Sequence, residues 1–336
     1  MKTPILATYG TNNSLAEITD RDIKQLDILY LAFGYVRNGH FTVEDLSNID
    51  RVSYIKSVNK DIKIIISLQS DEELEFQGVI STSEGRELLA KECKEAIIKY
   101  DLDGIDIDWE FPTSTGILSE KQDHTALLKV LRETLDTNSS KKYYLTIAAG
   151  TMQTYLNGTE LGISHKYLDY VNLMTYDMNW VCKYSVHHTC AYKMDTDVTS
   201  EGSAEENIEL YVKAGVPIEK ILMGAAFYAR KWTDVKNDER HGLLVLTEHQ
   251  SDYAPNYTEL QADYINKNGY IRYYDDVAQA PYLYDGSTFI SYDDEQSLDV
   301  KCKMVKALGL AGIMSWQYSG DQSHELISVM AKSLKG

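Results

Sequence analysis

The sequence predicts an α/β fold, a (β/α)8 TIM barrel carrying a small α+β insertion between its seventh and eighth strands. Three observations point there. Eight short β-rich apolar runs recur along the chain, amphipathic helical patterns separate most of them, and one connection is far too long for a barrel loop. The runs are ILATY (5–9), ILYLAFGYV (28–36), IKIIISL (62–68), GIDIDWEF (104–111), YYLTIAAG (143–150), YVNLMTYD (170–177), ILMGAAFY (221–228) and AGIMSWQY (311–318). Several are continuously apolar rather than alternating, as strands of a parallel sheet covered on both faces should be. A doubly wound open sheet is the alternative arrangement of the same units.

Between the runs, residues 119–136 place Ser119 and Gln122 at capping-box spacing and then set Leu127, Leu128, Leu131 and Leu135 on one helical face. The last helix, from about Ser323, buries Leu326, Val329, Met330 and Leu334 by the same periodicity. From Tyr228 to the helix before the eighth run lie roughly 65 residues, well beyond an ordinary βα loop. This stretch is rich in Tyr and Asp and holds the strand-like pieces GLLVL and YIRYYD. The division expected is therefore a barrel from residues 1–232 and 289–336, with the insertion at 233–288.

Composition narrows the function. Apolar residues make up 43% and charged ones 25%, enough for a sizeable core and unlike a disordered chain. A net charge of −18 with no clustered Lys/Arg argues against nucleic acid as partner, whereas a neutral substrate is compatible with it. Tyr is abundant, 25 against 6 Phe. A ring with a polar tip suits sugar-binding grooves, and a simple composition bias is the other reading. The four cysteines show no zinc spacing. Cys93 falls on a helical stripe with Leu89, Ile97 and Tyr100, while Cys182 and Cys190 are either a local bridge or two free thiols. No stretch reaches the roughly 18 apolar residues of a membrane helix, and the start MKTPILATYG lacks a signal peptide's apolar run. The expectation is a cytoplasmic protein, or a secreted one whose leader has been removed.

The segment DLDGIDIDWEFP (101–112) carries the chemistry. Alternate side chains of a strand share a face, so Asp106, Asp108 and Glu110 project one way and Ile105, Ile107 and Trp109 the other. In a barrel strand the acids would point inward, with Glu110 at the carboxyl end, where catalytic groups of this fold gather. Three carboxylates stacked about 6–7 Å apart repel in a low dielectric, and holding a proton relieves the repulsion. An acid kept protonated near neutral pH is what general-acid catalysis requires. A metal site or a solvated edge strand would be the bland readings. Three acids on a single strand rarely complete a metal shell, no His clusters with them, and an edge strand would not alternate so regularly.

DGIDIDWE matches the DGxDxDxE signature of glycoside hydrolase family 18 at every defined position. The likeness continues: LMTYD (173–177) resembles the family's strand-six MxYD, GAAFYAR (224–230) its strand-seven motif, and 289–321 its last strand and flanks. The long insertion is similar to that of the deep-cleft chitinases. The resemblance covers essentially the whole chain. It implies a chitinase that cleaves β-1,4-linked N-acetylglucosamine with retention through a substrate-assisted oxazolinium ion. Glu110 would be the acid/base, Asp108 would hold the acetamido N–H, Asp106 would tune that charge, and Tyr176 would bond the acetamido carbonyl. Trp316 would floor the cleavage subsite, the alternative being a barrel-core Trp. Arg230 would bond substrate on the leaving-group side, the alternative being an exposed salt bridge, and Asp177 would contact sugar or the acids' surroundings. Met174, Phe33 and Tyr9 complete the expected lining, with core packing the alternative for Phe33, and Trp180 and Trp232 are candidates for the rim. No cofactor or metal is implied, the partner is chitin or its oligosaccharides, and a monomer is the usual expectation. Asp103 reads as a structural turn residue.

Two departures stand out. Where the family ends strand three in SxGG, this chain reads Ser67-Leu68-Gln69-Ser70, and YGTNN after strand one lacks a family tryptophan. Both bear on substrate length and rate rather than on reaction type. Kindred activities remain open: endo-β-N-acetylglucosaminidase action on N-glycans, peptidoglycan hydrolysis, and non-catalytic chitin binding.

Overall fold

The computed structural model describes residues 3–69, 73–114, 116–137, 141–151, 153–199 and 202–336. Ser70, one of the strand-three departures, lies outside them. Among the described residues, eight parallel strands close on themselves: β1 (Ile5–Gly10), β2 (Ile28–Arg37), β3 (Lys63–Gln69), β4 (Gly104–Asp108), β5 (Tyr144–Ala149), β6 (Tyr170–Leu173), β7 (Ile221–Ala226) and β8 (Gly312–Trp316). Because β1 pairs in parallel with both β2 and β8, the sheet has no open edge here. The chain is a barrel and not a doubly wound sheet.

Two cores follow from strand alternation. Outward residues such as Leu6, Leu29, Ile64, Ile66, Ile105 and Ile107 pack beneath the surrounding helices. Inward residues such as Tyr9, Tyr30, Ile65, Leu222 and Met314 fill the barrel. The helix Glu120–Asp136 shows the outer logic: Leu127, Leu128, Leu131 and Leu135 are fully buried, each contributing about 1.5–3 kcal/mol. Ser119 occupies the N-cap but makes no side-chain cap bond, because its backbone is already helical (φ −66, ψ −22). The expected capping box is therefore not formed. In the last helix, Glu325–Lys335, Ile327 and not Val329 joins Leu326, Met330 and Leu334 in the core.

Between β7 and β8 the chain builds a second, antiparallel sheet. Its strands lie in the order Asp252–Asn256, Tyr228–Trp232, Phe289–Ser291, Ala280–Tyr284, Ile271–Asp275. It thus begins at Tyr228 and ends at Ser291. Its core is shared with the segment after β6: Met178, Val186, Cys190 and Met194 pack with Trp232, Tyr282, Tyr284 and Phe289. Trp232 is buried there, donating its indole N–H to the Cys182 carbonyl at 2.9 Å, and does not reach the rim. Cys182 and Cys190 are free thiols, as are Cys93 and Cys302.

A buried ion pair ties these parts to the barrel. Lys301, on the helix Glu295–Leu308, reaches Asp293 at 2.7 Å, and both side chains are wholly buried. Asp293 also accepts from the Ala226 N–H, Ser297 and Thr189, the last on the post-β6 segment. Burial alone would raise the Asp293 carboxyl, but Lys301 and these donors outweigh it and hold it below the usual carboxylate range. Removing one partner leaves an uncompensated buried charge. Lys301→Met is expected to cost about 3–5 kcal/mol, read as a lowered urea midpoint. An unchanged midpoint would count against the pair as an anchor.

Candidate active site

The site sits at the carboxyl ends of the strands, where barrel enzymes place their chemistry. The lower layer is built by alternation. Asp106 on β4, fully buried, points inward and meets Ser67 of β3, Thr146 of β5, Asn172 of β6 and Tyr9 of β1. Ser67 and Tyr9 hydroxyls donate to Oδ2 at 2.8 and 2.9 Å; Thr146 and Asn172 donate to Oδ1 at 2.5 and 3.2 Å. Burial pushes the Asp106 carboxyl up, and the four donors pull it part of the way back.

Asp108 lies one layer higher, equally enclosed but differently served. Its Oδ1 is buried without a hydrogen-bond partner. Burial raises its carboxyl well above the ordinary range, and the charges of Glu110 and Asp106 push it further. β4 stops at Asp108, so Glu110 stands just beyond the strand, where it lines the cleft: solvent reaches it, but the surrounding walls strip part of its hydration. Its carboxyl is raised too, by loss of hydration first and by Asp177 second. Trp109, on the opposite face, is buried against Phe76 and His124. The three acids share one inward line, and all three hold protons more tightly than free carboxyls. Asp103 has the other parity and accepts from the Ile64 N–H while pairing with Lys56 and Lys141, a structural role.

Above the acids opens a cavity of about 700 Å³. Glu110, Asp108, Tyr176, Asp177, Trp316, Arg230, Met174, Phe33, Tyr9 and Trp180 all line it, so the expected side chains converge except Asp106, which lies beneath. β6 ends at Leu173, earlier than its apolar run, and Tyr176 reaches the site from the loop. Gly224 on β7 gives it room, since a Cβ there would come within 2.8 Å of the Tyr176 ring and of the Leu173 carbonyl. Burial keeps the Tyr176 hydroxyl protonated far above neutrality, helped by Asp108 and Glu110, so it is available as a donor. Trp316 stacks on Phe33 with centroids 5.5 Å apart and lies 5.7 Å from Tyr9. Cis peptide bonds precede Phe33 and follow Glu110 and Trp316.

On the β6–β7 side, Arg230 donates its Nε–H to Asp177 at 2.7 Å. Its guanidinium lies 3.9 Å from the Tyr253 ring centroid and 5.4 Å from that of Trp180. Burial opposes ionisation of Asp177, but hydrogen bonds from His188 and Arg230 outweigh it and hold that carboxyl well below the usual range. His188 is itself pushed down by burial, against the opposing pull of Asp177. Its Nδ1 lies 3.3 Å from the Asp177 N–H and 3.4 Å from Asp177 Oδ1.

His188, Tyr228 and Tyr253 were missed in the sequence. Tyr253 sits in the Tyr-rich insertion, a weak signal, whereas nothing local marks His188, which meets Asp177 only through the folding of the post-β6 segment. Among the described residues no group of three His, Cys, Asp or Glu is arranged to hold a metal ion, and no helix is long and apolar enough to cross a membrane.

Stacked acids under an aromatic-walled cleft, at the carboxyl end of a closed barrel, define a barrel enzyme equipped for acid–base chemistry. Residues 5–321 match the model of glycosyl hydrolases family 18, and the chain belongs to that family. It is 35% identical over 305 residues to Chitinase A1 of Niallia circulans, a match spanning 83% of this chain and 43% of that protein, so less than half of that relative's length is represented. Endochitinase 1 of Metarhizium robertsii is 28% identical, with 86% and 69% covered. Among solved structures, a family 18 N-acetylglucosaminidase from Paenibacillus barengoltzii superposes with a TM-score of 0.93 at 40% identity, covering 98% of this chain and 99% of that one. Chitinase ChiW from a Paenibacillus strain gives 0.89 at 34% identity, covering 99% and 43%.

Proposed function

We propose that this chain hydrolyses β-1,4-linked N-acetylglucosamine oligomers with retention, Glu110 acting as acid and then as base. The observation that carries the reading is the partnerless, buried Oδ1 of Asp108 between two other acids whose protons are held tightly. A buried acceptor without a donor is costly, and an acetamido N–H from substrate would satisfy it.

In the first step the Glu110 proton passes to the glycosidic oxygen and the C1–O bond breaks. The electrons of the leaving oxygen depart with it, and the carbonyl oxygen of the 2-acetamido group bonds C1. The product is an oxazolinium ion whose N–H is held by Asp108 and whose oxygen end is bonded by Tyr176. In the second step water gives a proton to Glu110 and its oxygen to C1, reopening the ring with net retention. An internal nucleophile already has a high effective molarity, so the protein mainly orients it and offsets positive charge. Asp106, fixed by four donors, holds the Asp108 layer. Trp316 and Phe33 offer the floor, and Met174 and Tyr9 fill beside it. Arg230, Asp177 and Trp180 would meet the leaving-group sugar. The second sheet, which brings Tyr253 beside Arg230, would form the high wall of a deep cleft, with the functional insertion running from Tyr228 to Ser291.

Similarity to chitinases supports this substrate class, and the 40% identity to an N-acetylglucosaminidase supports a second reading in which single sugars are released from a chain end. Chromogenic glycosides of N-acetylglucosamine, chitobiose and chitotriose test both. Turnover is expected. Binding without turnover would indicate a lectin, and turnover confined to N-glycopeptides or peptidoglycan would move the substrate class.

A further inference from the structure

Gln69 carries an inference that rests on the proposed reaction and deepens it. Alternation along β3 turns Ile65, Ser67 and Gln69 into the barrel, and Ile65 and Ser67 are seen there. In register, Ser67 pairs with Asp106 and Gln69 with Asp108. The lower pair is joined by a 2.8 Å hydrogen bond. The upper pair is not: Gln69 is half-buried and lines the cavity, and its side-chain amide hydrogen-bonds no described residue, while Asp108 Oδ1 is also without a partner. Among the described residues, the Gln69 amide and Asp108 Oδ1 thus stand at the same depth without hydrogen-bond partners.

The cleft is also asymmetric. Strand order places β2 and β3 on one side of the acids and β6 and β7 on the other. Arg230, Trp180 and the exposed Tyr253 stand on the β6–β7 side, assigned above to the leaving group. Gln69 therefore faces the glycone.

We infer that Gln69 is a specificity-determining residue that reads the non-reducing end of the chain, its amide binding the 3,4-diol of the sugar seated over Asp108. A primary amide offers donors and an acceptor side by side, which match two vicinal hydroxyls, one giving and one receiving. Only a terminal β-1,4-linked residue has that pair, since in an internal residue O4 is bonded to the next sugar. The assignment makes this chain an exo-acting enzyme favouring a single-sugar glycone.

The test pairs a protein change with a substrate change. Wild type, Gln69→Ala and Gln69→Asn are compared on chromogenic glycosides of N-acetylglucosamine, its 4-deoxy analogue, and chitotriose, with thermal melts establishing that each variant is folded. For wild type, loss of the 4-hydroxyl is expected to lower kcat/KM about tenfold, the worth of one strong hydrogen bond. For Gln69→Ala the same loss should cost under about twofold, and the preference for the single sugar over chitotriose should shrink in step. Equal 4-deoxy penalties in wild type and both variants overturn the role of Gln69 while leaving the reaction standing. No turnover of any glycoside by wild type contradicts the reaction itself, and the assignment falls with it.

Discussion

Glu110→Gln is expected to lower turnover of chitobiose glycosides by about 10³-fold while oligosaccharide affinity stays within a fewfold. Positioned proton transfer is worth about 10²–10⁴, and here one side chain serves both steps, so its loss falls toward the upper half of that range. The amide keeps the shape and sits at an open cleft floor, so the fold should not suffer. The pH dependence carries its own signature. The Glu110 carboxyl is raised, mainly by loss of hydration and further by Asp177, so the alkaline limb of kcat/KM should lie above the range of a free carboxyl. Asp177→Asn removes a charge that raises Glu110 and should move that limb downward. A limb that stays in place would detach Asp177 from the acid.

Asp108→Asn should do two opposed things, lowering kcat by about 10²-fold, the typical worth of one preorganised transition-state contact, while making the protein more stable. Burial and the charges of Glu110 and Asp106 hold the Asp108 carboxyl well above its unfolded range. Between that unfolded range and the raised folded value, the unfolded chain has released a proton that the native chain keeps. Wild-type stability therefore falls as pH rises through this interval. Asn does not titrate and escapes the loss. The variant should melt about 1–4 °C higher at pH 7, and the gain should vanish below about pH 3, where both states of the wild type are protonated. A destabilised variant, or a gain independent of pH, would contradict the picture of an acid held against its own solvation.

The same physics explains how much could be read beforehand. Strand alternation is local, so the common face of Asp106, Asp108 and Glu110 follows from spacing alone. The continuous apolar runs marked all eight strands, although the fourth and sixth end sooner than their runs because β pairing stops at Asp108 and Leu173. What spacing cannot express is which distant groups meet. Asp293 and Lys301 lie in one helical region, but the Ala226 N–H and Thr189 that complete their cage come from elsewhere in the chain. His188 and Asp177 likewise meet only because the post-β6 segment folds back under the second sheet. Ser119 shows the converse: the residue types of a capping box were present, yet the backbone entered the helix too early for the side chain to cap it. Trp232 looked like a rim residue by position and is a core residue because the second sheet begins at Tyr228, not beyond it.

The reaction turns on the substrate's own acetamido oxygen as nucleophile, and one series isolates it. Chromogenic β-glycosides bearing N-acetyl, N-difluoroacetyl and N-trifluoroacetyl groups differ little in size but progressively starve that oxygen of electron density. Steep, stepwise loss of kcat/KM across the series, with the β anomer as first product, is the result expected. Rates that ignore fluorination, or an α anomer formed first, would mean that water or a protein carboxylate attacks C1 instead.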